Sequence, residues 1–387
     1  MAVFGIICET NPIHNGHKYL LDRARDLGAD KIVCIMSGNT VQRGEFAVAD
    51  KYSRAEILVK CGADMVVELP FPWCSSSAES FALAGIKIAS NICDTVIFGS
   101  ECGDIDLLSR AAHVASADDF KEKYLKRLSA GEQAAAAYRN LIKESTDVEL
   151  SSNDTLGIEY MRAAIKLGLD IKFETVGRVG DGYLSGKVED AEYPSATAIR
   201  NMWSEGRFEE TKAYIPEQAF DAYKLLFENN SIAVAEELDA AILLFFRLKT
   251  GEELSGIVGA EGGLANRFCE KAKIATTVNE LIQLVKNKRY TDGHIKRFML
   301  HCIAGVTAED ISLLPCETLV LAVNKNGREL LSCIRKKQGM RFVTKPADMD
   351  PECAQNVLSS RIDSIYSLAH KSKLAADVYV KMKPYIE

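Results

Sequence analysis

The stretch Phe4 to Leu21, FGIICETNPIHNGHKYLL, constrains this 387-residue chain more than any other. It sits on a short apolar run, Val3 to Cys8, with the length and composition of a buried strand. Asn11-Pro12 breaks the run. His14-Asn15-Gly16-His17 follows, and then Leu20, Ala24 and Leu27, whose spacings of four and three put one apolar stripe on a helix. Two histidines therefore stand where a strand ends and a helix begins. The first turn of a helix carries unpaired N–H groups and a partial positive charge, which suits a phosphate. Gly16 lets a ligand come close to the backbone. Imidazoles three residues apart can then both reach one cluster of phosphate oxygens. The alternative, ordinary loop and cap histidines, stays open on these residues alone.

The first half of the chain alternates strand and helix signals. Lys31–Met36, Asp64–Leu69, Asp94–Phe98 and Ile171–Val176 read as further strands. Asp50 is placed to cap a helix ending at Cys61, and a second helix is expected over Ser77–Ile92. Further helices are expected over Asp118–Ser129, Gly131–Ser145 and Leu156–Leu167, the last preceded by the cap-like Ser151-Ser152-Asn153-Asp154. Such alternation implies a parallel sheet with right-handed crossovers, which binds ligands beyond the carboxyl ends of its strands. His14, His17, the polar loop with Gln42-Arg43-Gly44-Glu45, Gly99-Ser100-Glu101 and Gly177-Arg178 all fall there. Ser195 is expected to cap a short helix with Thr197 and Arg200 near its first turn, a second helix N-terminus able to hold a phosphate. Plain capping for Ser195, and solvation or a salt bridge for Arg178 and Arg200, are the alternatives.

From about Trp203 helical signals dominate: Ala219–Phe227, Ala233–Leu248, Leu264–Lys273, Val278–Lys286 and His294–Cys302. We therefore expect an α/β domain over 1–205 and a mainly helical domain over 206–387. Late in the second half, Thr318–Val323, a helix over Arg328–Lys337 and Met340–Thr344 read as a small βαβ piece. The net charge of −7 argues against a simple basic coat for nucleic acid, but the charge is uneven. Residues 1–205 hold 22 Lys and Arg against 30 Asp and Glu, whereas 265–345 hold 15 against 7. A localised basic surface is what a phosphate backbone needs. Lys288, Arg289, Lys296 and Arg297, with Tyr290 among them, form one cluster, and Arg335, Lys336 and Lys337 another. Cations beside an aromatic suit an RNA backbone and an unstacked base, although a solvated helix face looks the same.

No apolar run approaches the roughly 18–20 residues of a membrane span. The chain opens on a strand-like segment without a basic n-region, so no signal peptide is expected. Its eleven cysteines are scattered and never form CxxC. They read as reduced core residues of a cytoplasmic protein rather than a zinc site.

Eight segments share one order: ETNPIHNGH at Glu9–His17, MSGNTVQRGE at Met36–Glu45, GADMVVELP at Gly62–Pro70, FGSECGD at Phe98–Asp104, NDTLGIEYM at Asn153–Met161, GRVGDGY at Gly177–Tyr183, PSATAIR at Pro194–Arg200 and KRYTDGHIKR at Lys288–Arg297. In that order they resemble the tRNA(Met) cytidine acetate ligase family of bacteria. His14 to His17 resembles the HxGH signature of the nucleotidyltransferase superfamily, whose two histidines contact ATP phosphates. The sequence departs from the family pattern at Thr10 and Ile13, where aromatics are expected, and at Asp292-Gly293-His294, where a more basic run is expected.

The resemblance implies a Rossmann-like nucleotidyltransferase domain followed by a mainly helical tRNA-binding domain. It implies a cytoplasmic enzyme that uses ATP and acetate to make N4-acetylcytidine at the wobble cytidine, C34, of elongator tRNA(Met). It also implies ATP contacts at Ile7, Cys8, Glu9, Thr10, Asn11, Pro12, Ile13, His14, Asn15, Gly16, His17, Lys18, Tyr19 and Leu20, and at Gly99, Asn153 and Arg178. By superfamily analogy Ser195 and Arg200 form a second phosphate motif, and His14 and His17 are the catalytic pair. Magnesium is the usual companion of ATP phosphates, and no acidic cluster demands a protein-bound ion. Two other readings stand beside this one. A small-molecule adenylyltransferase acting on a phosphorylated cofactor precursor would share the histidine half. A non-enzymatic RNA-binding protein would retain only the fold.

Overall fold

The computed structural model describes residues 1–146, 150–177, 194–334 and 339–387. In chain order its strands are β1 (Val3–Cys8), β2 (Lys31–Ser37), β3 (Thr40–Val41), β4 (Glu45–Phe46), β5 (Met65–Leu69), β6 (Thr95–Ser100), β7 (Lys172–Gly177), β8 (Glu317–Val323), β9 (Arg341–Val343) and β10 (Tyr385–Ile386). Strands β5-β2-β1-β6-β7 run parallel and adjacent in that order. Every residue of β1, β2 and β5 is buried, as expected of parallel strands covered on both faces. Alternate residues serve opposite faces: Ile32, Cys34 and Met36 of β2 join one core cluster, Val33 and Ile35 the other.

The helices of the first half are α1 (Asn15–Asp26), α2 (Lys51–Lys60), α3 (Ala78–Ala89), α4 (Ile105–Ser116), α5 (Asp118–Ser129), α6 (Ala134–Thr146), α7 (Ser152–Leu167) and α8 (Ala196–Ser204). Those of the second half are α9 (Glu217–Glu228), α10 (Asp239–Leu248), α11 (Leu264–Ala272), α12 (Val278–Val285), α13 (Asp292–Ala304), α14 (Ala308–Ser312), α15 (Lys325–Ile334), α16 (Ala354–Tyr366) and α17 (Val378–Lys381). The expected caps are present. The Asp50 carboxylate accepts from the N–H groups of Tyr52 and Ser53, and Ser77 and Ser195 accept from Ser80 and Ala198. Among the described residues, no helix is long and apolar enough to cross a membrane.

Three features differ from the sequence expectation. Helices α4, α14, α16 and α17 and strand β10 were not expected. The inner face of α4 is built on Leu108, Ala111, Ala112 and Ala115, and so carries little apolar bulk. The polar loop after β2 contains the antiparallel hairpin β3–β4. The expected βαβ piece forms as β8, α15 and β9, but it continues the main sheet. Strand β8 lies antiparallel on β5, and β9 and β10 pair with β8. The cause is the bare edge of β5, whose Met65, Val66, Val67 and Leu69 need a partner that hides them and their backbone.

The second half is also bound through the core. One cluster runs from Cys34 and Met36 to Phe220 and Tyr223 of α9, Phe246 of α10, Phe268 of α11 and Phe298 of α13. A buried ion network adds a polar joint. The Lys51 ammonium donates to Glu68 Oε1 at 2.8 Å and to Asp363 Oδ2 of α16 at 2.8 Å, and Asn39 Nδ2 donates to Asp363 Oδ1 at 2.8 Å. Burial works against the Lys51 charge, but the two carboxylates outweigh it and raise its pKa well above the ordinary range.

Candidate functional site

A cleft opens at the carboxyl ends of β1 and β6. Chain progression reverses between those two strands, since β2 and β5 lie to one side and β6 and β7 to the other. That reversal is where doubly wound sheets bind ligands. The cleft is lined from the end of β1 (Ile7 to Asn11), from α1 (His14, Gly16, His17, Tyr19, Leu20) and from the hairpin (Gln42, Arg43, Glu45). Phe98 and Gly99 of β6, Asn153, Leu156 and Tyr160 of α7, and Ser195, Thr197 and Arg200 around α8 complete it.

The two histidines are oriented by their own helix. His14 is the N-cap of α1, and its Nδ1 accepts from the Gly16 N–H at 3.1 Å. His17 Nδ1 accepts from the His14 N–H at 3.3 Å. Together they make a capping box from imidazoles, with ring centroids 4.0 Å apart and planes inclined by 44°. Because each Nδ1 accepts, the proton of each neutral ring sits on Nε2. The pair is therefore set to donate through Nε2 at the positive end of the α1 dipole.

Asn11 adds a third donor. It is only 3% exposed, and its Oδ1 accepts from the Val48 N–H at 2.8 Å. Its buried Nδ2 has no partner among the described residues. A buried amide N–H without an acceptor is costly, and a ligand oxygen would satisfy it. Arg200 supplies a cation. Its Nη1 donates to Asn11 O at 2.7 Å and its Nη2 to Glu45 Oε2 at 3.0 Å and Thr197 Oγ1 at 3.3 Å.

On the β6 side, the Asp154 carboxylate accepts from Ser100 Oγ at 2.5 Å and from the N–H groups of Glu101 and Cys102 at 3.1 and 3.3 Å. Burial alone would raise its pKa, but these hydrogen bonds prevail and lower it. Asp154 thereby pins the loop that presents Gly99. Helix α7 lies so close to β6 that a Cβ at Gly157 would collide with the Phe98 ring. Phe81, Phe98 and Leu156 give the cleft an apolar wall beside its polar floor.

The hairpin links this cleft to the basic helix. Gly44 has φ +77°, and a Cβ there would run into the backbone of Lys296 and Arg297 on α13. Glu45 takes both Arg200 and the Lys296 ammonium, and Arg297 Nη1 donates to Gln42 O at 3.1 Å. Burial would raise the pKa of Glu45, but the Lys296 and Arg200 cations outweigh it and lower it. Burial pulls the Arg297 guanidinium down to about 10, which leaves it charged at neutral pH.

Fourteen of the expected nucleotide contacts, Ile7 to Asn11, His14, Gly16, His17, Tyr19, Leu20, Gly99, Asn153, Ser195 and Arg200, line the cleft. Pro12, Ile13, Asn15 and Lys18 are not among the lining residues. Ile13 is fully buried, with its N–H 3.3 Å from Tyr223 Oη. Asn15 donates from its side chain to Ala213 O at 2.9 Å and from its backbone to Tyr214 O, so it clamps α1 to the chain after α8. Lys18 pairs with Asp22 one turn along α1. Arg178 lies outside the described residues, as do Arg335, Lys336 and Lys337. Of the other basic residues, Lys288 and Arg289 are exposed, whereas Lys296 and Arg297 are half-buried against the hairpin. Gln42, Arg43, Glu45, Thr197 and Tyr160 were not named individually as nucleotide contacts. Tyr160 carried a signal, since it follows Leu156 by one helical turn. Among the described residues, no group of three or more His, Cys, Asp or Glu side chains could hold a metal ion.

A mostly parallel α/β sheet with paired imidazoles at the helix after its first strand defines a nucleotidyltransferase of the HIGH class. The HIGH Nucleotidyl Transferase family model matches residues 1–379. The chain is 33% identical over 388 residues to the tRNA(Met) cytidine acetate ligase of Caldanaerobacter subterraneus subsp. tengcongensis, covering 96% of both chains. It is 34% identical over 360 residues to the enzyme of that name from Thermotoga maritima, covering 87% of this chain and 85% of that one. A crystal structure of Thermotoga maritima TmcAL bound with alpha-thio ATP superposes with a TM-score of 0.89 at 31% identity, covering 100% of this chain and 99% of that chain. Its apo form I superposes with a TM-score of 0.92, with the same identity and coverage. The chain belongs to the tRNA(Met) cytidine acetate ligase family of HIGH nucleotidyl transferases.

Proposed function

We propose that this protein is an ATP-dependent RNA-modifying ligase. It activates acetate as acetyl-adenylate and transfers the acetyl group to N4 of the wobble cytidine of elongator tRNA(Met), making N4-acetylcytidine. The observation that carries this reading is the pair of imidazoles whose Nδ1 atoms are both tied to the backbone of α1. Both rings line a cleft that also holds Arg200 and the Asn11 amide, whose Nδ2 has no partner among the described residues. Near full-length likeness to ligases of that name supports the choice of acceptor.

In the first step an acetate oxygen attacks the α-phosphorus of ATP and pyrophosphate leaves. His14 and His17 stabilise the charge gathering on the α-phosphoryl oxygens and the leaving group. Preorganised donors of this kind are worth about 2.7–4 kcal/mol each. Positioning and electrostatics suffice, and no protein nucleophile is needed. Magnesium accompanying the nucleotide would be held chiefly by its phosphates. In the second step the cytidine amine attacks the acetyl carbonyl and AMP leaves. The base must be unpaired to enter, as an anticodon-loop cytidine can be. We assign ATP chemistry to residues 1–205 and tRNA binding chiefly to 206–387, with Lys288 and Arg289 the exposed cations of that surface. ATP and tRNA are cytoplasmic substrates, and we place the enzyme there.

Acetate-dependent exchange of labelled pyrophosphate into ATP tests the first step. Exchange that needs acetate supports it. Exchange that ignores acetate but needs a phosphorylated small molecule would replace it with the adenylyltransferase reading.

A further inference from the structure

The acetyl transfer step needs a base for the N4 proton. We propose that Glu9 is that base, an inference that rests on the ligase reading above. Among the described residues, two carboxylates line the cleft, Glu9 and Glu45. Their environments differ in a way that separates their roles. Glu45 is claimed by two cations, Arg200 at 3.0 Å and Lys296, and is a weakened base. Glu9 stands one residue past β1, half-buried, and its Oε1 accepts from the Gln42 N–H at 2.6 Å. That backbone bond holds one carboxylate oxygen in place.

The two histidines and Tyr160 are poor candidates. Each histidine carries its proton on Nε2 and its Nδ1 is occupied by a backbone N–H, so neither ring offers a lone pair to an incoming amine. Burial pushes the Tyr160 hydroxyl far above its usual range, so it stays protonated. The groups acting on Glu9 are Arg43, Arg200 and the Gln42 N–H, which lower its pKa, and Glu45, which raises it. Tyr160 and Cys8 also lie close. Burial prevails over all of these and raises the Glu9 pKa, moving it toward working pH.

The step balances. As the N4–C bond forms at the acetyl carbonyl carbon, the N4 proton passes to a Glu9 oxygen. The C–O bond to the phosphate of AMP then breaks, with its electron pair leaving on AMP. Glu9 returns the proton to solvent.

The test uses the full chain, unmodified elongator tRNA(Met) and chemically prepared acetyl-adenylate, so that transfer is read apart from activation. Single-turnover transfer is compared for wild type, Glu9→Gln and Glu9→Asp across pH. The Gln42 N–H bond survives in Glu9→Gln, because the amide oxygen still accepts, but basicity is lost. We expect Glu9→Gln to slow transfer by about 10²–10⁴-fold and to remove the acid limb of the pH profile. Its loss in pyrophosphate exchange should be at least about tenfold smaller, and Glu9→Asp should recover part of the transfer rate with its acid limb. Transfer within a few-fold of wild type in Glu9→Gln would overturn the proposal. So would equal losses in both steps with a raised KM for ATP, which would place Glu9 on the nucleotide. Wild type that cannot transfer from acetyl-adenylate would sink the ligase reading itself, and Glu9 with it.

Discussion

The N-terminus of α1 and the middle of α13 both bring positive character to the cleft, by opposite means. At α1 the donors lie within four residues, His14 to His17, and each ring is held by a backbone N–H of the same turn. At α13 nothing is local. Lys296 reaches the cleft through Glu45 and Arg297 through the Gln42 carbonyl, both on a hairpin some 250 residues away in sequence. The first region is a self-contained device whose geometry follows from a helix cap. The second is a joint, dependent on packing between the two halves of the chain. Chemistry should therefore be lost sharply at α1, and coupling lost gradually at α13.

The sharpest break is expected at α1. His17→Ala should lower acetate-dependent pyrophosphate exchange by about 10²–10³-fold. It should cost less stability than His14→Ala, because it removes only the longer, 3.3 Å half of the capping box. His14→Ala should cost a similar activity and also about 0.5–2 kcal/mol of stability, because it removes a cap. His14→Asn should restore the stability and not the activity. Equal stability losses in both alanine variants would show that the rings are structural.

The joint at α13 should be sensitive to pH. His301 lies on this helix with its Nε2 2.9 Å from Ser75 O, and burial pulls its pKa down to about 4. Between its ordinary value near 6.5 and about 4, the unfolded chain binds a proton that the folded chain does not. Stability therefore falls as pH drops through that window, by about 2 kcal/mol at pH 5. Denaturant unfolding at pH 7 and 5 should show a smaller loss in His301→Gln than in wild type. An identical pH dependence would remove His301 from the joint.

Glu45→Ala should act on both regions at once. Arg200 and Lys296 lose their shared carboxylate, and we expect roughly a tenfold fall in tRNA-dependent turnover and about 1 kcal/mol of stability, since the pair is partly solvated. The pKa of Glu45 is lowered in the folded chain, so its contribution is present above the ordinary carboxylate range and lost as pH falls through the lowered value. The stability gap between wild type and variant should accordingly close in acid. The smallest effects belong to the exposed cations. Lys288→Ala and Arg289→Ala should each weaken tRNA binding a few-fold and reduce the slope of log affinity against log salt by about one. Pyrophosphate exchange without tRNA should be unchanged in both.

The same contrast explains what could be read from the sequence. The five parallel strands and the HNGH turn were legible because each is a local signal: an apolar run, a breaker, a cap. Residues on one contiguous stretch inherit their relation from the backbone. Pairing of β8 with β5 was not legible, because it joins segments about 250 residues apart that look alike as apolar runs. Helix α4 was hidden by its alanines. The directions of Lys296 and Arg297 were hidden as well, since charge counts locate a cation without naming its partner. Within the HNGH stretch itself, the family resemblance implies nucleotide contacts at Asn15 and Lys18. The helical turn sends Asn15 to Ala213 and leaves Lys18 paired with Asp22.

The most direct measurement is mass spectrometry of nucleosides from unmodified elongator tRNA(Met) incubated with the protein, ATP and labelled acetate. We expect labelled N4-acetylcytidine at the wobble position, abolished by His17→Ala and by omission of ATP. ATP cleaved to AMP and pyrophosphate in the presence of acetate, with no label entering the RNA, would contradict it.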